Sequence, residues 1–223
     1  MRKNIIDVKQ RNLEYDERLG SLRGITGKHG KYDCQILKLL EYYKCMTIEQ
    51  ISYYTYKDYF TTARRLRKLS DYGVVASFMD GLKSEKYYHT GTVMKTHELL
   101  KRKVMFEFVK LGLISKPSDG FRMEVELLDG IIRCDLLVAW SYEGKEYLTL
   151  AEVDYTHETN AEKIANYERA FAQGIEYDGA KRRFNLLILK QNESVIDSSI
   201  LDIIQCRFED IHLNIEDLIA YRL

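Results

Sequence analysis

Two apolar runs rich in β-branched and aromatic residues, Ile131–Trp140 and Tyr147–Tyr155, are joined by the polar link Ser141-Tyr142-Glu143-Gly144-Lys145-Glu146. Each run has the composition of a strand, and the glycine supplies a turn. With Glu143-Gly144 as a two-residue turn, Tyr142 pairs with Lys145. That register sets Asp135 directly opposite Glu152, with Cβ atoms about 5 Å apart, and places Asp154 on the same face. Like charges facing each other destabilise a sheet. Three neighbouring carboxylates therefore need an offset: a divalent metal, a shared proton, a nearby cation, or a different register.

The rest of the chain bounds what surrounds this hairpin. Its 223 residues allow one large domain or two small ones, and 30% charged residues suits a protein in water. The apolar runs are too short for a membrane span, so no membrane partner is expected. Met1 to Asp7 is charged too early for a secretory signal, which points to a cytoplasmic protein. Cys34, Cys45, Cys134 and Cys206 lie far apart without a C-x-x-C pair, the pattern of reduced buried thiols. The zero net charge hides a split. Residues 1–115 carry 22 Lys and Arg against 13 Asp and Glu, a net of +9, and the remainder carries −9. A basic front half suggests nucleic acid at one end; two oppositely charged domains docked on each other is the plainer alternative.

Residues 1–30 combine charge with four glycines and read as a basic arm. From Lys31 the helical pattern sharpens, with Ile36, Leu37, Leu39, Leu40 and Tyr43 on one face. Thr47 and Gln50 form a capping box for a second helix. A third helix begins at Asp58, places Ala63, Leu66, Leu69 and Tyr72 along its inner side, and stops at Gly73. Its expected outer face carries Thr61, Thr62, Arg64, Arg65, Arg67 and Lys68. Small hydroxyls at a helix N-terminus bond phosphate, arginines reach guanine edges, and Lys68 holds backbone phosphate. Val74–Met79, Asp80-Gly81 and Leu82–His89 read as a hairpin bearing Lys83 and Lys86. Three helices followed by a hairpin resemble a winged helix–turn–helix domain over residues 31–95.

A helix from Thr96 or His97 leads to Pro117-Ser118-Asp119-Gly120, the expected junction. Strands then follow at 121–127, 131–140 and 147–155, a helix at 160–173 capped by Thr159 with Glu162, a strand at 184–189, and a helix from about Ser194. The αβββαβ order over roughly residues 96–190, in a domain taken to run over 96–223, with an acid on the second strand and Glu-x-Asp on the third, resembles the restriction-endonuclease-like PD-(D/E)xK fold. The whole is then α/β (α+β). A winged helix ahead of such a domain, with Ala151-Glu152-Val153-Asp154 and Lys163-x-x-x-Tyr167, is similar to the replication-relaxation family.

The nuclease resemblance implies Asp135 and Glu152 as Mg²⁺ ligands, with a lysine two residues after the glutamate. Asp154 stands at that lysine position. It supplies no positive charge, so Lys163 on the next helix is the substitute the pattern offers. Glu98, Glu124 and Glu126 are further candidate ligands, and His157 and Glu158 lie just beyond the third strand. The departure at Asp154 tips the expectation toward an inactive nuclease-like domain with Asp135, Glu152, Asp154 and Lys163 as remnants, and no cofactor is firmly implied. The family resemblance implies a protein that binds double-stranded DNA in replication, transfer or transcriptional control of a plasmid, integrative element or phage. One recognition helix per chain suggests a homodimer on a pseudo-palindromic site. A Mg²⁺-dependent endonuclease or nickase is the enzymatic alternative. A module recruiting a replication or transfer protein is the other.

Overall fold

The computed structural model describes residues 30–81, 85–114, 120–155, 159–177, 179–192, 194–208 and 211–219. The expected arm at 1–30 and the Pro117 junction therefore lie almost wholly outside the described residues. The fold is mixed α/β, and the chain divides into two compact units, residues 1–99 and 100–223.

In the first unit, α1 (Gly30–Tyr43), β1 (Cys45–Thr47), α2 (Ile48–Tyr54), α3 (Tyr59–Asp71), β2 (Ala76–Met79) and β3 (Lys86–His89) follow one another. Short strand β1 pairs antiparallel with β3, which also pairs with β2, so the hairpin strands share a three-stranded sheet. The hairpin is closed at Met79↔Lys86, with Asp80 N–H donating to the Glu85 carbonyl, so the turn is longer than Asp80-Gly81 alone. The core gathers Ile36, Leu37, Leu40, Tyr43, Met46, Ile51, Leu66, Leu69, Val75 and Tyr88. The local signals act as the sequence suggests. Thr47 Oγ1 accepts from Gln50 N–H while the Gln50 side chain accepts from Thr47 N–H. Gly73 adopts φ +71°, and Val74 N–H returns to the Leu69 carbonyl, satisfying groups the helix end leaves open.

The second unit opens in α4 (Thr96–Lys110) and continues with β4 (Phe121–Leu127), β5 (Ile132–Tyr142), β6 (Lys145–Asp154), α5 (Ala161–Gln173), the small hairpin β7 (Ile175–Tyr177) and β8 (Ala180–Arg182), β9 (Asn185–Lys190), β10 (Ile203–Arg207) and α6 (Ile215–Ile219). The sheet order is β10-β9-β6-β5-β4. Strands β4, β5 and β6 are antiparallel neighbours, whereas β6, β9 and β10 are parallel. Parallel neighbours need a crossover, which α5 and the β7–β8 hairpin provide between β6 and β9. Every residue of β9 is buried, as expected for a central strand with both faces covered.

The Glu143-Gly144 turn has both residues at positive φ, +48° and +76°, the two-residue geometry that matches strand twist. Tyr142 pairs with Lys145, and the register runs on to Leu136↔Ala151. There the regular ladder stops.

Two sequence expectations are corrected in this unit. The cap of α5 is Asn160, whose Oδ1 accepts from Lys163 N–H at 2.9 Å; Thr159 is instead bound to Asp154. The helix expected from Ser194 is an extended connection leading to β10. Gln205 accepts from Ile196 N–H and donates to the Ile196 carbonyl, and Ser198 Oγ accepts from the N–H groups of Ile200 and Leu201. These side chains take the backbone groups a helix would use, and Ile203-Ile204 pairs with β9.

Candidate functional site

Helix α3 is placed by both of its ends and by its inner face. Asp58 caps it, accepting from Thr61 N–H at 2.7 Å, while Thr62 Oγ1 donates to the Asp58 carbonyl at 2.8 Å. Leu66 and Leu69 are buried. Between them and the cap, Arg65 enters the core: its Nε donates to Asp33 Oδ1 at 3.0 Å and its Nη2 to Asp33 Oδ2, a two-pronged contact with a fully buried carboxylate on α1.

Of the residues expected on the outer face, Arg64, Arg67 and Lys68 are exposed and Thr61 is half-buried. Thr62 and Arg65 are buried, so neither belongs to that face. The reason is rotational. Positions 62, 65, 66 and 69 form one stripe at helical spacing, and Asp33 turns the arginine inward; Ala63 is only half-buried and Tyr72 is exposed. Lys86 is exposed on β3, with its ammonium 5.4 Å from the Tyr88 ring centroid. Lys83 lies outside the described residues. The signal the sequence carried for the buried pair is Asp33 itself, an acid in line with Ile36, Leu37 and Leu40.

In the second unit the acids stand at the level where the β4–β5–β6 ladder is interrupted. Phe121 and Trp140 meet Phe108 of α4, whereas Val125, Leu127, Ile132, Cys134, Leu137 and Ala139 join the core formed with α5. Strict alternation would keep Phe121 and Val125 on one face, so β4 changes faces between them, and β5 does so between Cys134 and Leu137. Glu124, at φ +52°, is the pivot of β4. Asp135 holds the corresponding place on β5. The expected register holds as far as Leu136↔Ala151, which leaves Asp135 at the place opposite Glu152, one step beyond the last regular pair. Asp135 Oδ2 accepts from the Val153 backbone N–H of β6 at 2.8 Å.

Glu152 points toward α5 and is 2% exposed. Lys163 Nζ lies 2.6 Å from its Oε2, and the Tyr167 hydroxyl donates to its Oε1. Burial, reinforced weakly by Asp135, pushes this carboxyl up to about 7, while the lysine and the tyrosine pull the other way. Burial beside the same acids pushes the Cys134 thiol up to about 12 and raises the Tyr167 hydroxyl well above its ordinary value. Asp154 spends both oxygens on Thr159, from N–H at 2.8 Å and from Oγ1 at 2.7 Å.

On the other side of the interruption, Glu124 binds the ammonium of Lys101 at 2.5 Å and Arg133 Nη2 at 3.3 Å. Lys101 is fully buried on α4, in line with Val104, Met105 and Phe108. A lone lysine in an apolar stripe was the signal for this pairing. Glu126 is exposed on β4, Glu98 is half-buried in the first turn of α4, and His157 and Glu158 lie outside the described residues.

Comparison of the chain with protein-family models, curated proteins and solved structures gives no match. Among the described residues, no helix is long and apolar enough to cross a membrane.

Proposed function

We propose that this protein binds double-stranded DNA through the outer face of α3, and that its C-terminal unit is a non-cleaving scaffold. The observation that carries the reading is the stripe Arg64, Arg67 and Lys68, exposed on a helix whose opposite face is fixed by Leu66, Leu69 and the Arg65–Asp33 pair. Cations on a rigid helix neutralise duplex phosphates and release counterions. The order of three helices and a hairpin is that of winged helix–turn–helix proteins, whose third helix enters the major groove. Lys86 supplies a further exposed cation on the hairpin. The resemblance to replication-relaxation proteins gives the setting: replication, transfer or transcriptional control of a mobile element. One recognition helix per chain favours a homodimer on a pseudo-palindromic site.

The scaffold reading is supported by how the acids are engaged. Mg²⁺ demands near-octahedral oxygen ligands. Both oxygens of Glu152, both of Asp154 and one of Asp135 already accept from protein donors, and Lys163 is spent on Glu152. That engagement supports a non-cleaving domain, because a metal would have to compete with these donors for the same oxygens. The second reading, a Mg²⁺-dependent endonuclease or nickase, draws on Glu124 and Asp135, which bring carboxylate oxygens within 4.8 Å of each other.

Fluorescence anisotropy on duplex DNA tests the first reading. The double variant Arg64→Glu, Arg67→Glu is expected to bind about tenfold or more weakly, with a shallower salt dependence. Unchanged affinity removes the assignment to α3. Supercoiled plasmid incubated with Mg²⁺ or Mn²⁺ is expected to stay intact; nicking that disappears in Asp135→Ala overturns the scaffold reading.

A further inference from the structure

Phe60 is the side chain on the outer stripe of α3 that phosphate binding leaves without a task. It is 80% exposed in the first turn of the helix, four residues before Arg64 and seven before Arg67. That spacing puts all three on one side, opposite the buried positions 62, 66 and 69. Its place is fixed rather than frayed. The Asp58 cap holds the backbone of this turn, and Tyr59 meets the Phe60 ring edge-on with centroids 5.8 Å apart.

A single exposed aromatic is ordinary on a protein surface. One that heads a line of arginines at the start of a helix is better matched to a particular partner. The flanking cations select a polyanion over an apolar protein surface, and the N-terminal residues of a major-groove helix are those that meet base edges. Among the base edges in that groove, the C5 methyl of thymine is the apolar feature. We propose that Phe60 is a specificity-determining residue that packs on thymine methyl groups and makes the preferred site thymine-dependent. This rests on the DNA-binding reading above. In it, Arg64 and Arg67 set general affinity and Phe60 sets base preference, two roles that separate by experiment.

Duplexes are enriched by the full-length protein from a random-sequence pool, and each thymine of the enriched site is then replaced singly by deoxyuridine, which removes only the methyl. At one or more positions the unaltered protein is expected to lose about fourfold in affinity per methyl. The Phe60→Ala variant is expected to bind the thymine and uracil duplexes alike while keeping its salt dependence. Equal binding of all uracil duplexes by the unaltered protein overturns the proposal, as does discrimination that persists in Phe60→Ala. Failure to enrich any duplex overturns the DNA-binding reading as well, so the two failures are told apart.

Discussion

In the N-terminal unit a buried carboxylate, Asp33, meets a guanidinium in a two-pronged contact, while neighbouring Arg64 and Arg67 stand in solvent. In the C-terminal unit the buried carboxylate Glu152 shares its surroundings with Asp135 and is answered by a half-exposed lysine and a tyrosine. The first arrangement balances charge inside the core. The second leaves the acid under-compensated, so Glu152 holds its proton up to about 7. One unit keeps its spare charge outside, where it can meet a partner. The other buries the acid of its β6, where Lys163 and Tyr167 engage it.

The largest effect expected from breaking this contrast is at Arg65. Arg65→Met strands Asp33 without its partner and should cost about 3–5 kcal/mol in urea unfolding, whereas the paired change with Asp33→Leu should recover most of it. A loss within the error of the measurement would mean that the pair is not what closes this core.

Next comes the pH dependence of Glu152. Its carboxyl titrates higher in the folded than in the unfolded chain, so the folded state binds the extra proton. Stability is therefore greatest below the unfolded value of 4.5 and falls as pH rises toward about 7. The span corresponds to roughly 3 kcal/mol. In Glu152→Gln this part of the slope should vanish, and a slope identical to the parent would show that Glu152 is ionised throughout.

A smaller loss, about 1 kcal/mol, is expected for Thr47→Ala, which removes one of the two buried hydrogen bonds of the α2 capping box. Smallest of all, Arg64→Glu should leave unfolding within about 0.5 kcal/mol of the parent, because the side chain is in solvent. A larger penalty there would place Arg64 in the core and erase the distinction between the two arginines.

What the sequence made legible was local chemistry. Thr47 with Gln50, Gly73, and Glu143-Gly144 each act over a few residues, and each sits in the geometry its type demands. What stayed hidden depends on partners far along the chain. Arg65 turns inward because of Asp33, thirty-two residues earlier. Ala63 and Thr62 are small enough that apolarity alone does not say which faces the core. Thr159 and Asn160 can both cap a helix, and Asp154 decides between them by taking Thr159. The Ile203-Ile204 pair suits either a helix or a strand until β9 lies beside it. The carboxylate level was visible as a row of like charges. The change of faces along β4 and β5 beside it was not, since alternation is the rule from which strand faces are read.

The left-handed backbone at Glu124 has a further consequence. It works as a notch cut at one height of the sheet: sliding β4 along β5 by a single step would part Glu124 from Lys101, and in one direction would carry that conformation to the β-branched Val125, for which it is most unfavourable. Apolar alternation alone tolerates slippage by two. A notch tolerates none, so an edge strand only seven residues long is held to one alignment.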